Sequence, residues 1–394
     1  MKKTIMSVCS VAALLGMILT FASCTSKEEK IAQAIELIKQ EKVAEALAIY
    51  QELEDVQDTV LLNRLGDVYA KGKGVEQDSV KALTFYEKSA NQGSPYAMVE
   101  KGLAYEFAQG GYKKDNKEAF KWYKKAAELG YGPGLCNVAI SYRDGSGIEK
   151  DPQKAIEYFQ KAIEKGNVKA IYCLGVMYKD GDGVLVNMEE AIKYLQMAAD
   201  KKNVYAIGDL GYMHDEGKGV KKDHKKAFEY YLKGAELGDA YSQFYVAYDY
   251  ANGIGTTKDY KKAVEWYLKA VNQGDVDAMV NLGLMYENGQ GVEKNLQKAA
   301  AMYKQAAEKG DATGMVNLGL MYENGRGVER NLEKAMEMYK KAAEKGDARA
   351  QFNYGYYLFH QSSGIENQDG LYWINKAANQ GYKKAKEFLM YEGD

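Results

Sequence analysis

Apolar residues recur along the chain at intervals of three and four positions, in short segments separated by polar, glycine-rich connections. Met279, Leu282, Gly283 and Tyr286 show this spacing, which places them on one face of a helix. The segment 288–291, Asn-Gly-Gln-Gly, follows directly. Because glycine tolerates a positive φ, such a segment ends a helix and turns the chain. The pattern therefore predicts pairs of short amphipathic helices.

The helix pair is repeated at a nearly constant interval. Residues 282–312 and 318–348 are almost identical and lie 36 residues apart. A small residue, here called the small position, marks the same place in nine successive units. The small positions are Gly66, Gly102, Ala139, Gly175, Gly211, Ala247, Gly283, Gly319 and Gly355. A period of about 20–50 residues is typical of repeat architectures, so the sequence predicts nine units over residues 60–381.

The second helix of each unit carries start and stop signals. A glycine such as Gly310 ends it, and Lys202 takes this place in one unit, which should weaken the stop without removing it. Glycine inside a helix costs about 1 kcal/mol relative to alanine, so its recurrence at the small position indicates close approach of another helix. An Asp or Asn precedes the second helix as a predicted N-cap, namely Asp78, Asp115, Asp151, Asn187, Asp223, Asp259, Asn295 and Asn331.

Composition and charge exclude several classes of function. The 394 residues include 53 Lys+Arg against 55 Asp+Glu, a formal net charge of −2. This balance argues against a nucleic-acid partner, which needs a broad basic surface. The 3 His and 4 Cys leave little material for a zinc cluster or a disulfide framework. Many of the 33 Tyr occupy equivalent positions of the repeat, so their excess is mainly structural.

Catalytic motifs are absent from the sequence. None of H-E-x-x-H, C-x-x-C, G-x-S-x-G or the phosphate-binding G-x-x-x-x-G-K-[ST] occurs. Residues 180–183 begin like a calcium loop, but the twelfth position is Ala191 instead of Glu. Cys136 and Cys173 lie in neighbouring units, and helix spacing favours two buried free thiols over a disulfide. We therefore predict no catalytic residue, no cofactor and no metal.

The repeated segment resembles the Sel1-like repeat family, a relative of the tetratricopeptide repeat. The resemblance is carried by A-x-x-x-L-G-x-x-Y from Ala278 to Tyr286, by G-x-G-V from Gly289 to Val292, and by the K-A-A-x-x-G end. It implies an all-α, right-handed α-solenoid of about nine 36-residue helix-pair repeats that binds other proteins and is not an enzyme. Residues 30–59 read as a degenerate N-terminal helix pair and 382–394 as a C-terminal capping helix.

The N-terminus has the features of a secretory signal. Met1-Lys2-Lys3 is basic and Ile5 to Phe21 is uncharged and mostly apolar. A transmembrane anchor is the weaker alternative, because a span needs roughly 20 residues. Ala22-Ser23-Cys24 resembles a bacterial lipobox, although Phe21 stands where Leu is more usual.

We accordingly predict a lipoprotein signal peptide over 1–23, lipid attachment at Cys24 and a lipidated tether over 24–29. Ordinary secretion remains the alternative. The predicted location is the bacterial cell envelope, with the chain held by its N-terminal lipid, and we expect the outer membrane on either its periplasmic or its surface face.

A candidate binding face follows from analogy with tetratricopeptide-like solenoids, whose first helices line the concave side. The positions three before and one after the small position would then face the groove, and they are mostly apolar. Exposed apolar and aromatic residues mark interaction sites. Tighter curvature that packs these side chains as core is the alternative. The residues predicted to contact a partner are Tyr172, Tyr212, Phe244, Tyr248, Phe352 and Tyr356.

The predicted function is that of a membrane-anchored scaffold or adaptor that binds a protein or peptide on the concave face of the solenoid. We expect a monomer. The alternative is an extracytoplasmic glycan-binding or hydrolytic protein with an unrecognised active site.

Overall fold

The computed structural model describes residues 26–361 and 365–391, and this part of the chain forms 21 helices and no strand. The fold is an all-α repeat solenoid, as predicted. Cys24 and the predicted signal peptide lie outside the described residues. The chain divides into two compact units between Tyr194 and Leu195, within one helix.

The first unit begins with the two helices that precede the repeats. Each helix packs mainly on its neighbours in the chain, as expected of a solenoid. The helices of this unit are α1 Lys27–Lys39, α2 Val43–Glu52, α3 Thr59–Lys71, α4 Ser79–Asn91, α5 Pro95–Glu106, α6 Asn116–Glu128, α7 Gly132–Asp144, α8 Pro152–Glu164 and α9 Val168–Asp180, followed by α10 Met188–Asp200, which contains the division.

The second unit holds the remaining repeats and the closing helix. In both units, odd-numbered helices from α3 to α19 are the first helices of their repeats, and even-numbered helices from α4 to α20 are the second. The helices of the second unit are α11 Val204–Glu216, α12 His224–Glu236, α13 Ala240–Asn252, α14 Tyr260–Asn272, α15 Val276–Asn288, α16 Leu296–Glu308, α17 Ala312–Asn324, α18 Leu332–Glu344, α19 Ala348–Gln361, α20 Ile365–Asn379 and α21 Lys383–Tyr391.

The predicted N-caps of the second helices are confirmed. Asn295, for example, accepts a hydrogen bond from the backbone N–H of Lys298 at 2.8 Å. A second set of caps, on the first helices, was not predicted. Its members are of the same residue types, and each lies three positions before the residue whose backbone N–H it binds. These caps are Asp58, Ser94, Asn167, Asn203, Asp239, Asp275, Asp311 and Asp347.

The predicted helix stops are confirmed as well, including the one that lacks glycine. Gly310 ends α16 with a φ of 88°. Lys202 adopts a φ of 62° after α10, a conformation that costs a residue with a side chain more than glycine. The stop at this position therefore persists at a local energetic cost.

An aromatic ring from the second helix of the same repeat packs directly against the glycine at the small position. A Cβ placed on Gly283 would stand 2.5 Å from Cε1 of Tyr303, which is fully buried on α16. The close approach of another helix, predicted from these glycines, thus takes the form of a tyrosine side chain in most repeats. At Gly355 the helix backbone itself comes close, because a Cβ would stand 2.7 Å from the backbone oxygen of Gly370.

Cys136 and Cys173 are both buried and free, as predicted. A hydrogen bond between the two thiols raises the pKa of Cys136 and lowers that of Cys173. The nearby positive charge of Arg143 also lowers the pKa of Cys173. The two side chains thus form a polar contact inside the first unit.

Candidate binding surface

The six predicted contact residues lie on first helices and differ in exposure. Tyr248 on α13 and Tyr356 on α19 are exposed, at 40% and 44% of their surface. The others are half-buried, namely Tyr172, Tyr212, Phe244 and Phe352. Five of these residues lie on first helices of the second unit and are together called the aromatic surface below, namely Tyr212, Phe244, Tyr248, Phe352 and Tyr356.

Phe244 and Tyr248 lie side by side on α13. Their ring centroids are 6.2 Å apart and the rings are nearly parallel. Phe244 also contacts Tyr245 and the buried Tyr267. Phe244 is therefore supported from beneath, which holds the exposed ring of Tyr248 against a fixed neighbour.

Phe352 and Tyr356 form a second pair, on α19, with ring centroids 5.7 Å apart. Phe352 also packs on Tyr382 and on Phe388 of the closing helix α21, so part of its surface belongs to the core. Tyr356 borders a cavity of about 280 Å³ that is also lined by His360, Asn353, Tyr339 and Glu323.

Tyr212 and Tyr172 have different surroundings. The phenol oxygen of Tyr212 accepts a hydrogen bond from Nζ of Lys218 at 2.8 Å, and the same ammonium lies 4.6 Å from the ring centroid. Tyr172 lies in the first unit, where it packs against the core cluster that includes Cys136 and Leu174. The structure pairs Phe244 with Tyr248 and Phe352 with Tyr356, and Tyr172 belongs to a separate cluster.

A recurring hydrogen bond between the two helices of a repeat was not predicted from the sequence. The buried tyrosine of a second helix donates its phenol hydrogen to a carboxylate four positions after the small position. Tyr303 binds Glu287 at 2.7 Å and Tyr339 binds Glu323 at 2.6 Å. Burial is the main cause that raises the pKa of both phenols, and the adjacent carboxylate adds to it. The recurrence of Glu at this position was a usable sequence signal.

This pairing is broken at Tyr231. The equivalent carboxylate is Asp215, which is one methylene shorter than Glu and lies 2.6 Å from Nδ1 of His224. The phenol oxygen of Tyr231 is buried and has no hydrogen-bond partner within the described residues. A buried polar group without a partner is rare and needs an explanation.

Asp249 lies in the same neighbourhood, on the last turn of α13, and is only 4% exposed. Burial, with a smaller contribution from the charge of Asp215, raises its pKa to about 8. The equivalent position holds methionine in other repeats, for instance at Met213, Met285 and Met321. Asp249 is the one charged residue among the nine residues at this position, and this difference is visible in the sequence.

Within residues 26–361 and 365–391, no group of three or more His, Cys, Asp or Glu side chains is arranged to hold a metal ion. No helix in the same part of the chain is both long and apolar enough to cross a membrane.

Solved structures of known proteins share this architecture. A protective antigen of uropathogenic Escherichia coli that displays an SLR fold is 32% identical, with a TM-score of 0.65 over 89% of this chain and 73% of that one. A Sel1 repeat protein from Oxalobacter formigenes is 25% identical, with a TM-score of 0.59 over 83% of this chain and 92% of that one.

A curated relative matches over a short segment only. An F-box protein of Arabidopsis thaliana is 38% identical over 92 residues, and the match spans 23% of this chain and 24% of that protein.

The family model of the Sel1 repeat matches this chain nine times in succession. The matched segments are residues 61–94, 95–131, 133–167, 168–203, 204–239, 240–275, 276–311, 312–347 and 348–382. Each segment contains one helix pair of the solenoid. With the repeat present from residue 61 to residue 382, the chain belongs to the Sel1 repeat family.

Proposed function

We propose that this chain is a membrane-anchored scaffold that binds a protein or peptide partner along the first helices of its repeats. Sel1 repeat proteins generally serve protein–protein interaction, and their solenoid is typically non-enzymatic. The observation that carries the proposal is the exposure of Tyr248 and Tyr356 on first helices, each beside a second aromatic ring.

The physical argument concerns what an exposed tyrosine gains from a partner. A tyrosine side chain offers a large apolar face and a polar tip, and it loses little conformational entropy when it is fixed in a complex. Aromatic residues are accordingly enriched among those that dominate binding energy. The cavity of about 280 Å³ beside Tyr356 offers space for a side chain of the partner.

The anchoring part of the proposal rests on the sequence alone. The apolar segment before Cys24 is a feature of a secretory signal, and Ala22-Ser23-Cys24 resembles a bacterial lipobox. A lipid on Cys24 would hold the solenoid at the surface of a membrane, where partners in the same compartment meet it at raised local concentration. The proposed location is the cell envelope of a bacterium, at the outer membrane.

Site-specific photocrosslinking in cells tests the binding face. Benzoylphenylalanine replaces Tyr248 or Tyr356 in the full-length chain, and crosslinked chains are identified by mass spectrometry. Leu268, 39% exposed on the second helix α14, is the matched control position. We expect the same partner from positions 248 and 356 and not from 268. Failure of both positions to crosslink, or equal crosslinking from 268, would contradict the proposal.

A further inference from the structure

Two equivalent side-chain sets in the second unit differ in charge. In the first set, Glu287 accepts the phenol hydrogen of Tyr303 and lies 2.9 Å from Nη2 of Arg326, which comes from the loop of the next repeat. The position equivalent to Asp249 is Met321 in this set. One carboxylate is thus paired with one guanidinium and one phenol.

Two repeats earlier the same positions hold Tyr231, Asp215, Asp249 and Ile254. Ile254 replaces the arginine and Asp249 replaces the methionine, so this set has two carboxylates where the other has one, and no guanidinium. The phenol of Tyr231 has no hydrogen-bond partner among the described residues. The group formed by Asp215, Asp249 and Tyr231 is called the acidic subsite below.

We propose that the acidic subsite binds the guanidinium of an arginine side chain, or the ammonium of a lysine, from the partner, in the place that Arg326 takes at Glu287. This inference rests on the proposed scaffold function. In this contact, the basic side chain of the partner lies between the carboxylates of Asp215 and Asp249, next to the aromatic surface.

The surroundings supply what a guanidinium needs. Asp215 on α11 is 25% exposed at its side chain, so a ligand has access to it from solvent. Tyr241 and Tyr245 on α13 lie against the ring of Tyr231, at centroid distances of 6.3 Å and 4.8 Å, and Tyr241 is 44% exposed. Aromatic faces beside carboxylates favour arginine, which stacks on rings and binds carboxylates through two N–H groups.

The charges around Asp249 explain why a cation is favoured there. The titratable groups that interact with it electrostatically are Asp215 from α11, Tyr231 from α12 and Tyr267 from α14. Nδ1 of His224 lies 2.6 Å from Oδ1 of Asp215, and this imidazole is charged only if it is protonated. The carboxylate also lies at the C-terminal turn of α13, whose dipole disfavours a negative charge. A bound cation favours the ionised form of the Asp249 carboxyl and so offsets these effects.

This arrangement predicts a pH dependence with a definite sign. The cation binds the ionised form of Asp249, whereas the free protein keeps this carboxyl protonated below a pH of about 8. Binding therefore strengthens as pH rises toward 8, by a factor of up to about ten for each pH unit.

The test uses a small probe on the purified full-length chain. N-acetyl-arginine amide is compared with N-acetyl-citrulline amide, which has nearly the same shape and no charge. The carboxyl carbons of aspartate are labelled with ¹³C and followed by NMR. We expect the arginine probe to shift the Asp249 signal and to lower its titration midpoint, and the citrulline probe to do neither.

Three variants complete the design. Ile254→Arg supplies a guanidinium from the chain itself and should abolish the response of the Asp249 signal to the arginine probe. Asp249→Met introduces the residue that other repeats carry and removes that signal, so it is followed at Asp215, whose signal the probe should no longer shift. Both variants should keep the fold. Asp277→Asn alters an exposed carboxylate elsewhere and should leave the response unchanged. Equal responses to the two probes, or an undiminished response in Ile254→Arg, would overturn the subsite.

The outcomes also separate this inference from the scaffold proposal. If the probe has no effect while position 248 still crosslinks a partner, the subsite is wrong and the scaffold stands. If the arginine probe binds but neither position 248 nor 356 crosslinks a partner, the cation site stands and the scaffold is wrong.

Discussion

The ring of Tyr303 lies on the Cα of Gly283, so that a Cβ there would stand 2.5 Å from Cε1 of the ring. Side-chain atoms do not approach a Cβ so closely, and the ring is fully buried and cannot move aside freely. Glycine inside a helix costs about 1 kcal/mol relative to alanine. The close packing of Tyr303 offsets this cost, which explains why the same pair recurs along the solenoid.

Replacing Gly283 by leucine should therefore destabilise the second unit. Overpacking of a filled core costs about 1–3 kcal/mol, and the ring of Tyr303 must leave its place. Thermal unfolding followed by circular dichroism should give an earlier melt for Gly283→Leu. The matched control is Ala301→Leu, at an exposed position of α16, which should melt like the parent. Equal melting of the two variants would contradict the packing argument.

Removal of the Tyr303 hydroxyl and removal of the Tyr231 hydroxyl should have different effects on the free energy of unfolding. Tyr303→Phe deletes a hydrogen bond of 2.7 Å to the Glu287 carboxylate and should lower the free energy of unfolding by about 1.5–3 kcal/mol, the range for a hydrogen bond to a charged group. Tyr231→Phe deletes a buried hydroxyl that has no partner among the described residues, so stability should stay the same or rise. Each variant is the control for the other in urea unfolding. A larger loss in Tyr231→Phe would mean that its phenol is satisfied.

The pH dependence of stability should report on Asp249. Burial, and to a lesser extent Asp215, raises its pKa to about 8 in the folded chain, whereas an unfolded aspartate titrates near pH 4. Between about pH 4 and pH 8 the folded state thus holds a proton that the unfolded state releases. The free energy of unfolding should fall as pH rises through this window, by at most about 1.4 kcal/mol for each pH unit.

Asp249→Met isolates this effect. The difference in unfolding free energy between Asp249→Met and the parent should grow from pH 4 to about pH 8 and stay constant above it. Asp277→Asn, at an exposed carboxylate, should show no such growth. A constant difference for Asp249→Met across the whole range would show that the buried carboxyl has an ordinary pKa.

Much of the fold follows from local sequence signals, because its determinants act within a few residues. Asn295 as a cap, Gly310 as a stop and the apolar spacing around Leu282 each specify structure nearby. The acidic subsite did not follow in this way. The replacement of methionine by Asp249 and of arginine by Ile254 is visible in the sequence. The sequence does not show that Asp249 of one repeat lies near Asp215 and Tyr231 of the preceding repeat, and this neighbourhood appears only in the folded chain.

Substitutions can distinguish the aromatic side chains that bind a partner from those that stabilise the core. Tyr212→Ala with Tyr248→Ala should abolish capture of the crosslinked partner while the melting temperature stays close to that of the parent, because Tyr248 is exposed and Tyr212 is half-buried. Tyr356→Ala should also reduce capture, and it should lower the melting temperature less than Phe352→Ala does, because Tyr356 is 44% exposed although its ring also packs on Phe388. Phe352→Ala should lower the melting temperature, because this ring packs on Phe388 of α21.

These substitutions also test the alternative in which the rings serve as core. Capture that is unchanged in the Tyr212 and Tyr248 double variant would remove these rings from the binding face. A collapse of the fold in both that variant and Tyr356→Ala would assign the whole aromatic surface to core packing.

Membrane attachment should depend on Cys24, which is the predicted site of lipid modification. A single acyl chain binds membranes marginally, whereas several chains hold a protein stably, so a fully processed lipoprotein should sediment with membranes. Cells that produce Cys24→Ala are fractionated, and incorporation of an alkyne-tagged fatty acid into the chain is measured. We expect the variant to lose the label and to leave the membrane fraction. Cys9→Ala, inside the predicted signal peptide, is the matched control and should keep both. If Cys24→Ala still sediments entirely with membranes, another part of the chain holds it there and the proposed anchor is wrong.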